Sequence, residues 1–184
     1  MKMDRNVIDA VKLLREEFSD SNIMGMRKLG NSLIEVASAE NNKLLADVAL
    51  IAYSLHKLSS KGHISGHETW LRVKGRVISS LKRAENALEK DDSAGFDKII
   101  NGIKNDINGV DSKLGYFVQG IHEKARVKYA STAYSLGLSL SQATDLTGAS
   151  KKKVLEYVGA TKISDKEKSE FGIGERLDKL RKVL

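Results

Sequence analysis

Proline is absent from all 184 positions, whereas an average soluble protein of this length, at about 5% proline, would carry roughly nine. Proline removes a backbone donor and clashes inside a helix, and it concentrates in turns and loops. A chain without it is expected to be nearly all-helical, with short connections. Apolar side chains make up 41% of the sequence, enough for a core in one globular domain or two small ones.

Apolar spacing supports the helical reading segment by segment. Val7, Ile8, Val11, Leu14 and Phe18 mark a first helix, and Met26, Leu29, Leu33, Val36 and Ala37 a second, with turn and capping residues Ser19 to Asn22 between them. From about Asn42 to Leu58 apolar residues cover most of the helix circumference, as expected at the centre of a bundle. Residues 59–66 read as a loop. A fourth helix then places Trp70, Val73, Val77, Ile78, Leu81, Ala84 and Leu88 on one face, and Arg72, Arg76 and Arg83 on the other. Beyond the turn at Asp91 to Gly95, Phe96, Ile100, Ile103, Ile107, Val110, Leu114, Phe117 and Ile121 alternate in steps of four and three. A long hairpin over about 68–122 is the simplest arrangement, and a parallel coiled-coil dimer is the competing one. Gly95, Gly102 and Gly109, seven apart, would suit close approach by another backbone or reflect chance repetition.

The C-terminal third changes character. A helix through Tyr129 and Leu136 meets Gly137, a natural C-cap, and Ser139 with Gln142 fits a capping box. Gly148 stands where a turn needs positive φ, and Ser150 is suited to cap a further helix. The run Ala143-Thr144-Asp145-Leu146-Thr147-Gly148-Ala149-Ser150, with Val154 and Tyr157 or Val158 as apolar anchors, resembles the helix-turn-helix superfamily over about residues 139–159. Thr144 departs from that pattern, which usually has Ala or Gly there.

The resemblance implies two domains, an N-terminal bundle over 1–122 and a helix-turn-helix unit over 123–184. It also implies a second helix lying in the major groove, with Ser150, Lys151, Lys152 and Lys153 toward nucleic acid and Val154, Leu155 and Val158 toward the core. Three successive lysines cannot share one helix face, so one or two would contact phosphates.

Charge leans the same way. Residues 1–126 carry 20 basic and 17 acidic side chains, a net of +3, and residues 127–184 carry 11 and 7, a net of +4. A polyanion partner suits this balance. Duplex DNA is expected first and RNA second, the RNA reading resting on Arg72, Arg76 and Arg83, which are otherwise a solvated helix face. A transcriptional regulator is the leading function, acting as a homodimer if it follows the usual two half-sites. The alternatives are an RNA- or ribonucleoprotein-binding protein and an antitoxin-like interaction module. The layout of helix-turn-helix, polar linker and amphipathic Glu175 to Leu184 is similar to that of small antitoxins that repress their own operon and neutralise a nuclease.

Catalysis finds little support. Without cysteine there is no disulfide, thiolate nucleophile or Cys-ligated metal. His63 and His67 are four apart beside Glu68, a metal-pair spacing, but Gly62 and Gly66 argue for loop histidines instead. None of the four histidines has an arginine at the upstream distance that marks HEPN ribonucleases. Phosphate loops, dinucleotide-binding glycines and nucleophile elbows are missing, so neither enzyme activity nor a cofactor is expected. Asp47, in the most apolar helix, could cap a neighbour, pair with a buried base or face outward, and the last is expected first. The N-terminus is polar, and the most apolar stretch, Leu44 to Leu55, is far shorter than the roughly 20 residues of a membrane helix. A soluble, cytoplasmic protein is expected.

Overall fold

The computed structural model describes residues 5–114 and 120–161, with the side chains of 111–113 and 161 left out. Within these residues the chain is all-helical, as the missing prolines predict. The helices are α1 (Arg5–Ser19), α2 (Ile23–Glu40), α3 (Lys43–Ser59), α4 (Gly62–Ser65), α5 (Glu68–Glu89), α6 (Ser93–Leu114), α7 (Ile121–Ser135), α8 (Leu140–Thr147) and α9 (Lys151–Thr161). Among the described residues no helix is long and apolar enough to cross a membrane. Phe117 and the expected terminal helix within 163–184 lie outside the described residues.

Asparagines make the tight reversals. Asn22 caps α2 by accepting from Gly25 N at 3.0 Å. Asn41 ends the same helix in the left-handed region, and Asn42 immediately caps α3, accepting from Leu44 N and Leu45 N. Two residues therefore suffice to turn α2 back along α3. Helix α3 is the hub: it packs against α1, α2, α6, α7 and α8, which explains its all-round apolar surface.

Residues 59–66 are not a simple loop. They contain the single turn α4, whose Ile64 is fully buried; burial of one isoleucine, worth about 2–3 kcal/mol, offsets the weak local helix propensity of two glycines. His67 caps α5, its Nδ1 accepting from Thr69 N at 3.1 Å. Helix α5 lays Trp70, Val73, Val77, Leu81, Ala84 and Leu88 into the core, and the Trp70 ring meets Phe18 of α1 edge-on at 5.8 Å. Glu85, buried on the same helix, accepts from Arg15 of α1 at 3.2 Å and from Lys82 at 2.9 Å.

Between α5 and α6, Asp91 adopts φ 55° and Asp92 accepts from Gly95 N at 2.8 Å. Phe96, Ile100, Ile103, Ile107 and Val110 of α6 are buried, with α5, α3 and α7 packed against the helix. The repeat does not continue as one helix to Ile121. Helix α6 is described to Leu114, and Ile121 begins α7 after Gly120, whose φ of 78° breaks helical geometry. Among the described residues, a Cβ at Gly102 or Gly109 would meet nothing within 4 Å, so neither glycine is required there by crowding at the Cβ position.

Asp47 takes the alternative of a covered base partner rather than the outward position expected first. It does not face solvent; it pairs with Lys104 of α6 at 2.8 Å, both side chains largely covered at 17% and 15% exposure. One buried apolar cluster extends from Val7 of α1 to Val154 of α9.

Candidate nucleic-acid interface

Helices α7, α8 and α9 pack pairwise. Helix α7 closes with Gly137 at φ 104°, and Leu138 N bonds to Ala133 O across the turn. The box opening α8 is reciprocal: Gln142 N donates to Ser139 Oγ at 3.2 Å, and Ser139 N donates to Gln142 Oε1 at 2.9 Å. Thr144 fits the buried position between helices because its hydroxyl folds onto its own helix, donating to Leu140 O and Ser141 O at 2.9 Å each. Gly148 turns the chain at φ 71°, with Arg126 of α7 beside it.

Helix α9 then begins with its first polar residues outward. Ser150, Lys151, Lys152 and Lys153 are all exposed, and the Ser150 carbonyl accepts the first helical bond, from Val154 N. The three lysines differ in what they touch. Lys151 donates to Ser141 Oγ at 2.9 Å, Lys153 pairs with Glu123 of α7 at 3.2 Å, and Lys152 has no ion pair among the described residues. Exposed contacts of this kind hold a side chain by at most about 1 kcal/mol, so a phosphate could take their place. Val154 is fully buried and Val158 packs against the core, but Leu155 is 53% exposed rather than inward. On a helix Val154 and Val158 lie about 40° apart, while Leu155 is about 100° from Val154 and turned off their face.

Arg72, Arg76 and Arg83 belong to α5, which among the described residues has no packed interface with α8 or α9. All three line one groove of about 910 Å³ between α5 and α6, together with Gly75, Lys98 and Gly102. Two are partly neutralised: Arg72 pairs with Glu68 at 3.3 Å and Arg76 with Asp106 of α6 at 2.8 Å. Arg83 donates to Ser80 Oγ at 2.9 Å.

A third basic group was missed from sequence. Lys128 of α7 lies 4.7 Å from the ring centre of Tyr53 and 5.6 Å from that of Tyr129. Lys57 of α3 lies 5.5 Å from the Tyr53 ring centre, and Arg27 of α2 is near enough to disfavour the charge on Lys128. The neighbouring pairs Tyr53–Lys57, one helical turn apart, and Lys128-Tyr129 were the only local trace of it.

Two histidines are buried. His56 bonds through Nδ1 to Ile23 O at 3.0 Å, and burial lowers its pKa. His122, 5% exposed, has no hydrogen-bond partner at either ring nitrogen among the described residues, and burial, reinforced by Arg126 and Lys104, pushes its pKa down to about 4. It is neutral at pH 7. No cluster of three His, Asp or Glu able to hold a metal occurs among the described residues.

No protein-family model matches the sequence, and no curated protein or solved structure is similar enough to count as a match.

Proposed function

We propose that the protein binds nucleic acid, most directly duplex DNA, as a transcriptional regulator. In this reading α5 and α6 form the long hairpin of a helical bundle, and α7, α8 and α9 form a helix-turn-helix unit. The observation that carries it is the start of α9: Ser150, Lys151 and Lys152 stand exposed on the first turn of a helix that follows a capped α8 and a left-handed glycine. A helix N-terminus adds its own favourable field for phosphate. Lys152 is the first phosphate contact, and Lys151 joins it by leaving Ser141. Leu155 and Glu156, also exposed, complete the outward face; a face with so few bidentate donors reads sequence weakly. Pairing as a homodimer would set two such helices about 34 Å apart on DNA. The role is binding, with no catalytic step assigned.

Fluorescence anisotropy against duplex DNA over a salt series tests this. The triple change Lys151→Ala, Lys152→Ala, Lys153→Ala is expected to weaken binding and to reduce the salt slope by about one per lost phosphate contact. Unchanged affinity and slope would overturn it.

A second reading has its own observation. Arg72, Arg76, Arg83 and Lys98 border a single groove, a shape that suits structured RNA. Binding that survives the α9 changes and falls with Arg72→Ala, Arg76→Ala, Arg83→Ala would favour it.

A further inference from the structure

Away from the N-terminus of α9, helices α2, α3 and α7 bring three cations to one place. Lys128 and Lys57 both approach the Tyr53 ring, which itself meets Tyr129 edge-on at 5.4 Å. Arg27 and Lys57 both act on Lys128, and all three cations act on His56. Tyr157 of α9 is near enough to Tyr53 for the two phenols to influence each other. Among the described residues no carboxylate is paired with Arg27, Lys57 or Lys128, while Arg15, Arg72, Arg76, Lys82, Lys104, Arg126 and Lys153 all have one.

Three like charges with Lys128 half-buried are an unfavourable arrangement for a free protein. Attraction to the faces of Tyr53 and Tyr129 offsets part of the cost, but both ammonium groups draw on the same Tyr53 ring. An anion placed among the three would remove the repulsion, and one carrying more than a single charge would neutralise most of it. Two ammonium groups at one tyrosine ring, with the exposed guanidinium of Arg27 close enough to act on Lys128, offer several donors, which suits the several oxygens of a phosphate better than a lone carboxylate.

We infer that Arg27, Lys57 and Lys128, gathered around Tyr53, form a binding site for a phosphate group, carried by a small phosphorylated molecule or by a nucleic-acid strand. The inference rests on residues of α2, α3 and α7 and uses none of the α9 lysines.

Thermal unfolding and calorimetric titration of the full chain test it, at fixed ionic strength, with sodium pyrophosphate and with a 20-base-pair duplex as probes. Wild type is compared with Lys128→Met, Arg27→Gln and the distant control Lys90→Gln. A rise in Tm with pyrophosphate, lost in Lys128→Met and Arg27→Gln but kept in the control, supports a small phosphorylated ligand. No pyrophosphate effect, with duplex affinity about tenfold weaker in the same two variants, supports a strand phosphate. Neither probe responding, or both variants behaving as the control does, overturns the site. Without any probe, Lys128→Met is expected to hold or raise Tm, since methionine keeps the contact with Tyr53 and removes the repulsion. A fall in Tm with probe binding retained would make Lys128 a packing residue and also overturns the site. If Lys128→Met fails to fold, Arg27→Gln and Lys57→Gln carry the same comparison.

Discussion

Replacing His122 by leucine should remove most of the protein's sensitivity to mild acid. In the folded chain its pKa is held at about 4 by burial, with Arg126 on its own helix and Lys104 from α6 adding to the effect; in the unfolded chain it is about 6.5. The unfolded state therefore binds more protons between these values, so stability is full above about pH 6.5 and falls as pH drops toward 4. At about 1.4 kcal/mol per unit the whole effect is about 3 kcal/mol, of which about 2 kcal/mol is lost between pH 7 and pH 5. For a domain of this size that lowers Tm by about 4–8 °C. Urea and thermal unfolding at pH 7 and pH 5 measure it. Wild type should show the loss and His122→Leu only the smaller part due to His56, whose pKa burial also lowers. At pH 7 the variant should be as stable as wild type or about 1 kcal/mol more so, because a buried imidazole with two unpartnered nitrogens is replaced by an apolar group of similar size. If the two proteins lose the same stability between pH 7 and pH 5, the buried neutral histidine is not the acid-sensitive element.

Packing and turn residues give further tests. A Cβ on Gly30 would lie 2.5 Å from the Tyr129 hydroxyl, so Gly30→Ala should cost about 1–3 kcal/mol in urea unfolding; adding Tyr129→Phe should recover most of it, because the hydroxyl holds Asn31 only at 3.5 Å. Gly148→Ala should cost about 1 kcal/mol, the penalty of a side chain at φ 71°, read as a lower Tm. Asp47→Asn should cost about 2 kcal/mol by leaving Lys104 charged and largely covered, and the double change with Lys104→Met should restore much of that stability in the same assay.

Helices whose structure follows from their own residues were legible in the sequence. Val7, Val11, Leu14 and Phe18 are spaced for one face, and Asn22 and Asn42 cap the helices they precede. What depended on distant partners was not. The turn α4 exists because Ile64 finds a place in the core, and Asp47 finds Lys104 57 residues away. The apolar repeat from Phe96 continued on paper through Gly120 because periodicity alone carries no signal for a backbone at φ 78°. Leu155 was misplaced by its hydropathy, since its angle from Val154 decides its exposure. Of the candidate site, Ser150 to Lys153 were visible as a run. Arg27, Lys57 and Lys128 were not, because three helices must pack before they meet.

The anchoring of α9 has a dynamic consequence. Among its described residues only Val154 is fully buried, whereas α3 buries Leu45, Val48, Leu50, Ile51, Leu55 and Leu58. Releasing α9 exposes the surface of about one valine and parts of Tyr157 and Val158, a small fraction of what global unfolding exposes. Its amides should therefore exchange hydrogen through a local opening far below the global unfolding free energy, while those of α3 exchange only with the whole molecule. A partner gripping α9 would then slow exchange in that helix by orders of magnitude and, by linkage, raise the free energy of global unfolding by the same amount, whereas a partner held elsewhere would slow α3 and leave the local opening of α9 unchanged. Exchange rates along the chain would separate engagement of α9 from engagement of the core.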